Sequence, residues 1–398
     1  MTVRKILILG GGTGGTMVAN LLARHLKPGE AELTVLDHTA RHVYQPSFLY
    51  VPFGMKEVRN NERPECGLLD KRVKLVQDKA VRIDPRGKVV ETQRCGPLNY
   101  DFLVVATGSH LDPGAVPGFE GAAHHFYTPE AAEALRGALE QFSGGEVVIG
   151  VAGVPYKCPP APLEFTFMID RYLKDRGLRD RSKIHYVSPL PRCFPIESAS
   201  RLLTTELEKR GVEIHIFFNV DSVNPQTREV NSVEGETLKY DLLVLIPPHK
   251  GAQVIIDSGL GETAAGWLPT DRQTLKVQGH EGIYAIGDAT NLPVSKSGAA
   301  AHFEADVVVE NLLAELRGEA VTHRYNGKVM CFVETGGLAA TRLLFDYTHP
   351  PLPPQPNLYY HLQKALFNRF YFSLIPPARL PGGMGVEKVP ATVAEKRV

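Results

Sequence analysis

Near the N-terminus four apolar residues, Ile6-Leu7-Ile8-Leu9, run directly into Gly10-Gly11-Gly12-Thr13-Gly14-Gly15. The pattern reads as a strand, a tight turn and the start of a helix whose apolar face is Met17, Val18, Leu21, Leu22 and Leu26. Gly10 permits the turn, Gly12 lets backbone come close to a pyrophosphate, and Gly15 lets helix and strand pack tightly. The helix N-terminus then faces anionic phosphates, which its free amides and dipole favour. Glycine-rich turns are common, so the pattern gains weight from a second strand, Leu33-Thr34-Val35-Leu36. That strand ends at Asp37, placed to accept hydrogen bonds from an adenosine ribose.

The segment His42-Val43-Tyr44-Gln45-Pro46-Ser47-Phe48-Leu49-Tyr50 is aromatic and irregular, suited either to line the edge of a planar ring or to pack as a loop. Residues 73–84 and 88–91 are expected as short strands around the turn Pro85-Arg86-Gly87. Residues 100–105 form another strand, ending at Ala106-Thr107-Gly108, where small residues let the chain pass close to a cofactor. A second α/β unit comes next, with helices predicted over 129–142 and 200–210 and strands over 146–150, 183–188, 212–218 and 241–246. It has the layout of a nicotinamide domain without the fingerprint. Gly150-Val151-Ala152-Gly153-Val154-Pro155 lacks the final glycine, and no acidic residue closes strand 183–188, so NAD(P)H is not expected to dock there in the usual way. Residues 282–289 then form a strand capped by Gly287-Asp288, an aspartate positioned for a ribityl chain, and Lys296-Ser297-Gly298 opens a helix over 299–316. The helix start, with Lys296 as either a helper or a solvated cation, can favour negative charge on a reduced flavin. Taken in order, the elements predict an α/β fold with two Rossmann-like dinucleotide-binding domains, bound FAD and a small C-terminal region. The division expected is 1–112 and 246–318 for the FAD domain, 113–245 for the second domain and 319–398 for the C-terminal region.

Where a second glycine turn would stand, the chain instead reads Val154-Pro155-Tyr156-Lys157-Cys158-Pro159-Pro160-Ala161-Pro162-Leu163-Glu164. The prolines cannot all serve as ladder or helix donors, so they fix an irregular loop that presents Cys158. Helix-start amides and Lys157 are expected to favour a thiolate there, the alternative being a buried inert cysteine. Glu164 comes at the start of a helix over 164–174, either as a proton-transfer group or as a favourable first-turn anion. Cys331 lies in a predicted strand, a setting in which cysteine is ordinarily core. The five cysteines, Cys66, Cys95, Cys158, Cys193 and Cys331, are too few and scattered for a disulfide scaffold, and any disulfide is more in keeping with catalysis than with structure. No Cys/His cluster has zinc-ligand spacing, so no metal is expected.

Lys plus Arg and Asp plus Glu each number 44, so no global field recruits nucleic acid. The apolar run at residues 6–9 is too short for a signal peptide, and no run is long enough to span a bilayer. After a stiff linker containing Pro350, Pro351, Pro353, Pro354 and Pro356, the residues Leu358, Tyr359, Leu362, Leu366, Phe367, Phe370, Tyr371 and Leu374 recur at near-helical spacing. Gln363, Lys364, Asn368 and Arg369 interrupt them. Such a helix suits a membrane interface or a cover over the protein's own core.

These elements together resemble the sulfide:quinone oxidoreductase and flavocytochrome c sulfide dehydrogenase branch of the FAD-dependent disulfide oxidoreductases, over nearly the whole chain. Gly10, Gly12, Gly15, Asp37, Thr107, Gly108, Gly287 and Asp288 are shared with the wider superfamily. The specific part is residues 155–162 with Glu164, together with Lys328-Val329-Met330-Cys331. The resemblance implies a glutathione reductase-like fold, with FAD held by those eight residues and by Gly14, Gln45, Pro46, Val81, Ala106, Lys296 and Gly298. It implies Cys158, Cys331 and Glu164 as the catalytic residues. Hydrosulfide would attack a Cys158–Cys331 disulfide, leaving a persulfide and a thiolate. Electrons would pass through FAD to a quinone at a membrane surface reached by the C-terminal segment, as in a peripheral, monotopic protein; homo-oligomerisation is left open. One departure is that His125-Phe126-Tyr127-Thr128 stands where the best-known quinone-reducing members carry a third cysteine. Rival readings are a flavoprotein subunit serving a cytochrome, an NADH:quinone oxidoreductase, and a non-catalytic FAD-binding redox module.

Overall fold

The computed structural model describes residues 3–380 and the strand Val386–Lys388. The rest of the predicted C-terminal region, 381–385 and 389–398, lies outside the described residues. In chain order the elements that position the site are β1 (Arg4–Leu9), α1 (Thr13–His25), β2 (Ala31–Asp37), β3 (Val73–Gln77), β4 (Phe102–Val105), α2 (Pro129–Gln141), β5 (Gly145–Val151) and α3 (Ala161–Asp175). They continue with β6 (Ser182–Ser188), α4 (Glu197–Glu208), β7 (Val212–Ile216), β8 (Leu242–Ile246), β9 (Ile283–Ala285), α5 (Gly298–Leu316), β10 (Val329–Gly336), β11 (Ala339–Phe345) and α6 (Leu358–Leu374).

Two parallel sheets result, one ordered β9-β4-β1-β2-β3 and the other β7-β6-β5-β8. Both faces of each sheet are buried, because successive side chains of a strand point to opposite sides. In β1, Ile6 and Ile8 join Met17, Val18 and Leu22 of α1 and Val308 and Leu312 of α5, whereas Leu7 and Leu9 join Ile83 and Val90 on the other face. In β5, Val147, Ile149 and Val151 pack with Leu163, Phe167 and Ile169 of α3, while Val148 meets Val220, Val223 and Val230 of a small antiparallel sheet. Each such aliphatic side chain contributes about 1.5–3 kcal/mol on burial. The fold is the predicted α/β architecture of two Rossmann-like domains with an added C-terminal piece, in which hairpin β10–β11 packs on α3 and α6 lies against β11.

The sheet order sets the position of the site. Strands β9, β4, β1 and β2 are neighbours, so their C-terminal ends place Gly287-Asp288, Ala106-Thr107-Gly108, Gly10 and Asp37 side by side. Several predicted boundaries move for local reasons. The run 73–84 breaks at Asp78, whose carboxylate accepts the amides of Lys79, Arg94 and Cys95 at 2.8, 2.8 and 2.7 Å. One half then joins the first parallel sheet and the other half, Ala80–Asp84, an antiparallel one. The strand expected over 212–218 ends at Ile216, because Phe217 turns to φ +55 and donates its amide to the Leu190 carbonyl at 3.0 Å. The helix expected over 200–210 spans Glu197–Glu208 instead.

Candidate functional site

The first half of the site is a cradle at the strand ends. Gly10 adopts φ +101, and a Cβ there would lie 2.4 Å from the Ala106 carbonyl oxygen; a Cβ on Gly15 would lie 1.9 Å from that of Gly10. Both are glycine because helix and strand approach this closely. A Cβ on Gly14 would meet Ile286 at 3.3 Å, so Gly14 serves packing, whereas Gly12 has nothing within 4 Å. Gly12 is also the N-cap of α1 and brings no side-chain cap to its amides. Asp37 accepts the Gly11 amide at 2.8 Å through Oδ2 and the Thr39 and Ala40 amides at 2.8 Å through Oδ1. Burial opposes its charge, but these amides outweigh burial and hold its carboxyl below the usual range.

Thr107 Oγ1 is buried without a hydrogen-bond partner. Asp288 receives the Ser109 hydroxyl at 3.4 Å, and burial raises its carboxyl despite the charges of Lys157 and Lys296. Lys296 is not a solvated cation. Its ammonium donates to the carbonyls of Asp288 and Thr290 at 3.2 and 2.5 Å and sits 3.9 Å over the Trp267 ring, and burial lowers its pKa to about 8. Gly298 begins α5 behind Ser297, whose hydroxyl caps the Ala300 amide at 3.3 Å. Gln45 and Pro46 are exposed at the head of a 3-10 turn, and Val81 is exposed where the strand register shifts between Ala80 and Arg82.

The second half is built around two cysteines. Cys158 adopts φ +53, a left-handed conformation that costs a non-glycine residue on the order of 1–3 kcal/mol. Hydrogen bonds hold it there: its amide donates to the Lys296 carbonyl at 2.7 Å, and its carbonyl accepts the Ala161 amide at 2.9 Å. The Tyr127 hydroxyl donates to the Lys157 and Cys158 carbonyls at 2.9 and 3.3 Å. Cys331, from β10, faces the hydroxyl of Ser297 and packs with Cys158 against the same buried core. Burial first, then Glu164, then Cys331 push the Cys158 thiol well up, and burial and Glu164 push Cys331 up to about 12. The expected stabilisation of a Cys158 thiolate is therefore not found. Helix α3 starts only at Ala161, and Lys157 is itself buried, which lowers its pKa, with Asp288 acting on its charge more strongly than Cys158 does. All five cysteines are free thiols; Cys193 is buried against Ser200 and Thr204, while Cys66 and Cys95 are exposed.

Glu164 is buried in the first turn of α3, where Oε1 accepts the Lys364 ammonium and the Glu334 amide, the latter at 2.7 Å. Burial raises the Glu164 carboxyl; Lys364 keeps its proton because Glu164, Tyr50 and Glu334 together outweigh its own burial. Glu334 in turn accepts His361 Nδ1 at 3.0 Å and the Tyr50 hydroxyl at 3.5 Å. Tyr371 contacts Thr13 Oγ1 at 2.6 Å and His42 Nε2 at 2.9 Å. Along α6, His361, Lys364, Asn368 and Tyr371 thus point inward at spacings of three and four, the period of one helix face. The opposite face carries Leu358, Tyr359, Leu362, Leu366 and Phe370 at 53, 63, 51, 55 and 44% exposure. The inward side mixes these polar groups with the aromatics Phe367, Tyr371 and Phe372, which pack on the core, whereas the outward side is apolar.

The structure brings Cys158, Cys331 and Glu164 together and sets them beside the cradle through the Lys296-Ser297 turn. Sequence reading missed Lys364, Glu334, His361, Tyr127 and Ser297. The inward spacing 361, 364, 368, 371 was the one available signal, masked because Lys364 and Asn368 read as interruptions of an apolar face in which Tyr371 was counted.

Comparison with known proteins bears on the family and the fold. Residues 4–305 match the family model described as pyridine nucleotide-disulphide oxidoreductase. The mitochondrial sulfide:quinone oxidoreductase of Dictyostelium discoideum is 29% identical over 342 residues, 84% of this chain and 75% of that protein. The type II NADH:quinone oxidoreductase of Staphylococcus haemolyticus is 24% identical over 343 residues, 80% of this chain and 84% of its own. The structure of the sulfide:quinone oxidoreductase from Aquifex aeolicus superposes with a TM-score of 0.85 at 22% identity, covering 94% of this chain and 92% of that one, a likeness of fold. Because the family match runs from β1 through the second parallel sheet and back into α5, the chain belongs to the pyridine nucleotide-disulphide oxidoreductase family.

Proposed function

We propose that the chain is an FAD-dependent sulfide:quinone oxidoreductase in which Cys158 and Cys331 are the redox pair. The observation that carries this reading is the convergence of two sequence-distant cysteines on one buried carboxyl, Glu164, against a dinucleotide cradle. FAD fits that cradle. The α1 N-terminus has no side-chain cap, Gly12 faces open space, Thr107 Oγ1 is buried and unpartnered, and Asp37 is a fixed anion at the ribose position. Gly10, Gly12, Asp37, Thr107, Gly108 and Asp288 would hold the cofactor, which when bound supplies two-electron redox chemistry.

The residues of the chain then divide the sulfur chemistry. Hydrosulfide attacks one sulfur of the Cys158–Cys331 disulfide; the S–S bond breaks, a Cys158–S–SH bond forms, and Cys331 leaves as thiolate. The pair of electrons lost by sulfide is the pair that reduces the disulfide. Ser297, fixed as the α5 cap, donates its hydroxyl to the Cys331 thiolate. Glu164, whose carboxyl burial raises, takes the persulfide proton, and the Lys364 ammonium beside it limits the charge then left in an apolar setting. The outward apolar face of α6 lays the molecule on a lipid surface from which a quinone enters. Among the described residues no helix is long and apolar enough to cross a membrane, which fits interfacial docking.

Anaerobic titration of the FAD-loaded protein tests the reading. Sulfide should bleach the flavin absorbance, a soluble quinone should restore it, and Cys158→Ser and Cys331→Ser should each abolish bleaching while retaining FAD. Bleaching by NADH rather than sulfide, or unchanged sulfide bleaching in both serine variants, would overturn it.

A further inference from the structure

Away from the cysteines, three side chains meet on the outer face of the second parallel sheet. His185 of β6 stands in register with Glu213 of β7, and His215, two residues on, shares the Glu213 face. His185 Nδ1 lies 3.0 Å from His215 Nε2 and 3.5 Å from Glu213 Oε2, and one ligand atom from each of the three falls within 4.8 Å of the others. The outward ring nitrogens are already engaged: His185 Nε2 lies 2.7 Å from Glu146 Oε2, and His215 Nδ1 lies 2.5 Å from Glu236 Oε1. Both histidines are largely buried, with side chains 6 and 16% exposed.

A hydrogen count shows that this cluster is one hydrogen short. There are three contacts, ring to Glu146, ring to ring, and ring to Glu236, and each needs one hydrogen between its two acceptors. Two neutral imidazoles carry one N–H each. With both hydrogens on the carboxylates, two bare lone pairs face each other at 3.0 Å, next to a third carboxylate. A third proton or a metal cation must fill that gap. The arrangement in which a carboxylate orients each imidazole from behind, leaving the inner nitrogen as a lone pair, is the one that metal-binding histidines use.

We propose that His185, Glu213 and His215 bind a borderline divalent transition-metal cation of the Zn²⁺ class. Two imidazoles and one carboxylate match its preference. Tetrahedral coordination at about 2.0–2.1 Å places ligand atoms roughly 3.3 Å apart, close to the 3.0 and 3.5 Å found for the two pairs that include His185, and the third pair lies within 4.8 Å, so side-chain rotations can close the set. Glu213 offers Oε2 while Oε1 stays with Lys183 at 2.9 Å, and its half-exposed position leaves a fourth site for water. The ion would tie β6 to the edge strand β7 and, through Glu236, to the antiparallel sheet covering that face.

The test uses the full FAD-loaded chain without a polyhistidine tag, stripped by chelator dialysis and titrated with Zn²⁺ against a chromophoric chelator. One ion per chain is expected, with a rise in melting temperature. His215→Gln should remove both. Glu236→Gln, which does not touch the ion, should weaken binding about 10–100-fold, as loss of an orienting carboxylate does. If His215→Gln does not fold, the half-exposed Glu213→Gln decides, and loss of the stoichiometric ion supports the site. Absence of a stoichiometric ion in the parent chain, or an ion that Glu213→Gln and Glu236→Gln bind as tightly as the parent does, overturns it.

Discussion

Replacing Lys364 by methionine keeps most of the side chain's apolar stem and removes the ammonium that sits on Glu164 with Glu334 nearby. Removing one partner of a buried ion pair costs about 3–5 kcal/mol, because the remaining charge is left in an apolar setting; replacing both by neutral groups is often close to neutral. Lys364→Met should therefore lose about 3–5 kcal/mol at pH 8, whereas Glu164→Gln/Lys364→Met should recover most of that loss. The pH dependence comes from the raised Glu164 carboxyl, which burial already holds above its ordinary 4.5 and which loses its main compensating cation in the single variant. A carboxyl whose folded pKa exceeds the unfolded one binds its proton more tightly in the folded state. Its contribution is complete below the unfolded value and is lost as pH rises through the folded one. The single variant should thus approach wild-type stability at low pH and fall away toward pH 8. Urea midpoints across that range measure it. A loss that is flat with pH, or a double variant as unstable as the single, would refute the assignment of the penalty to an uncompensated Glu164. The double variant also separates folding from chemistry: if Glu164 moves the persulfide proton, it should fold yet reduce flavin with sulfide about 10²–10⁴-fold more slowly in stopped flow.

Two further outcomes concern the cradle and α6. Gly15→Ala forces a Cβ to 1.9 Å from the Gly10 carbonyl and should yield protein without FAD and with a lowered unfolding midpoint. Gly12→Ala meets no protein atom within 4 Å and sits at an ordinary φ of −80, so it should keep the apoprotein midpoint but lose FAD, read as the ratio of flavin to protein absorbance; FAD retention by Gly12→Ala equal to that of the parent chain would contradict Gly12 as the phosphate-facing residue. Leu362→Glu/Leu366→Glu on the exposed face of α6 should abolish co-sedimentation with liposomes while leaving sulfide bleaching intact and shifting stability by no more than about 0.5 kcal/mol per substitution; unchanged sedimentation would remove α6 as the lipid-facing surface.

The fold was legible because its signals are local. Glycine spacing at 10–15, Asp37 at a strand end and Gly287-Asp288 each carry their meaning within a few residues, and parallel strand order then sets them side by side. Strand ends were legible to within a few residues, failing where a side chain captured backbone, as Asp78 does with three amides. The electrostatics of the cysteines were not legible. Lys157 is adjacent to Cys158 in sequence, yet burial disfavours its charge and Asp288 acts on it more strongly than Cys158 does, while Glu164, Cys331 and Lys364 reach the thiol through tertiary packing. A single substitution type, Lys on an aromatic helix, also reads the same whether it snorkels outward or is buried on a carboxylate.

That ambiguity bears on the proposed chemistry itself. Two electrons leaving sulfide for an acceptor in an apolar phase must be matched by protons, or charge accumulates where it is least stable. Helix α6 carries both requirements on one element. Its inward residues Lys364 and His361 touch the carboxyls of Glu164 and Glu334 beneath the cysteines, and its outward residues Leu362 and Leu366, each two positions from Lys364, form the apolar ridge. Docking that ridge in lipid excludes water from the same turn that holds the Lys364 charge, which strengthens its attraction to Glu164. Burial nevertheless outweighs Lys364 at the Glu164 carboxyl, so further loss of water on lipid binding should raise the pH at which Glu164 gives up its proton, a coupling that an enzyme with the apolar ridge and the carboxyl on separate elements would lack.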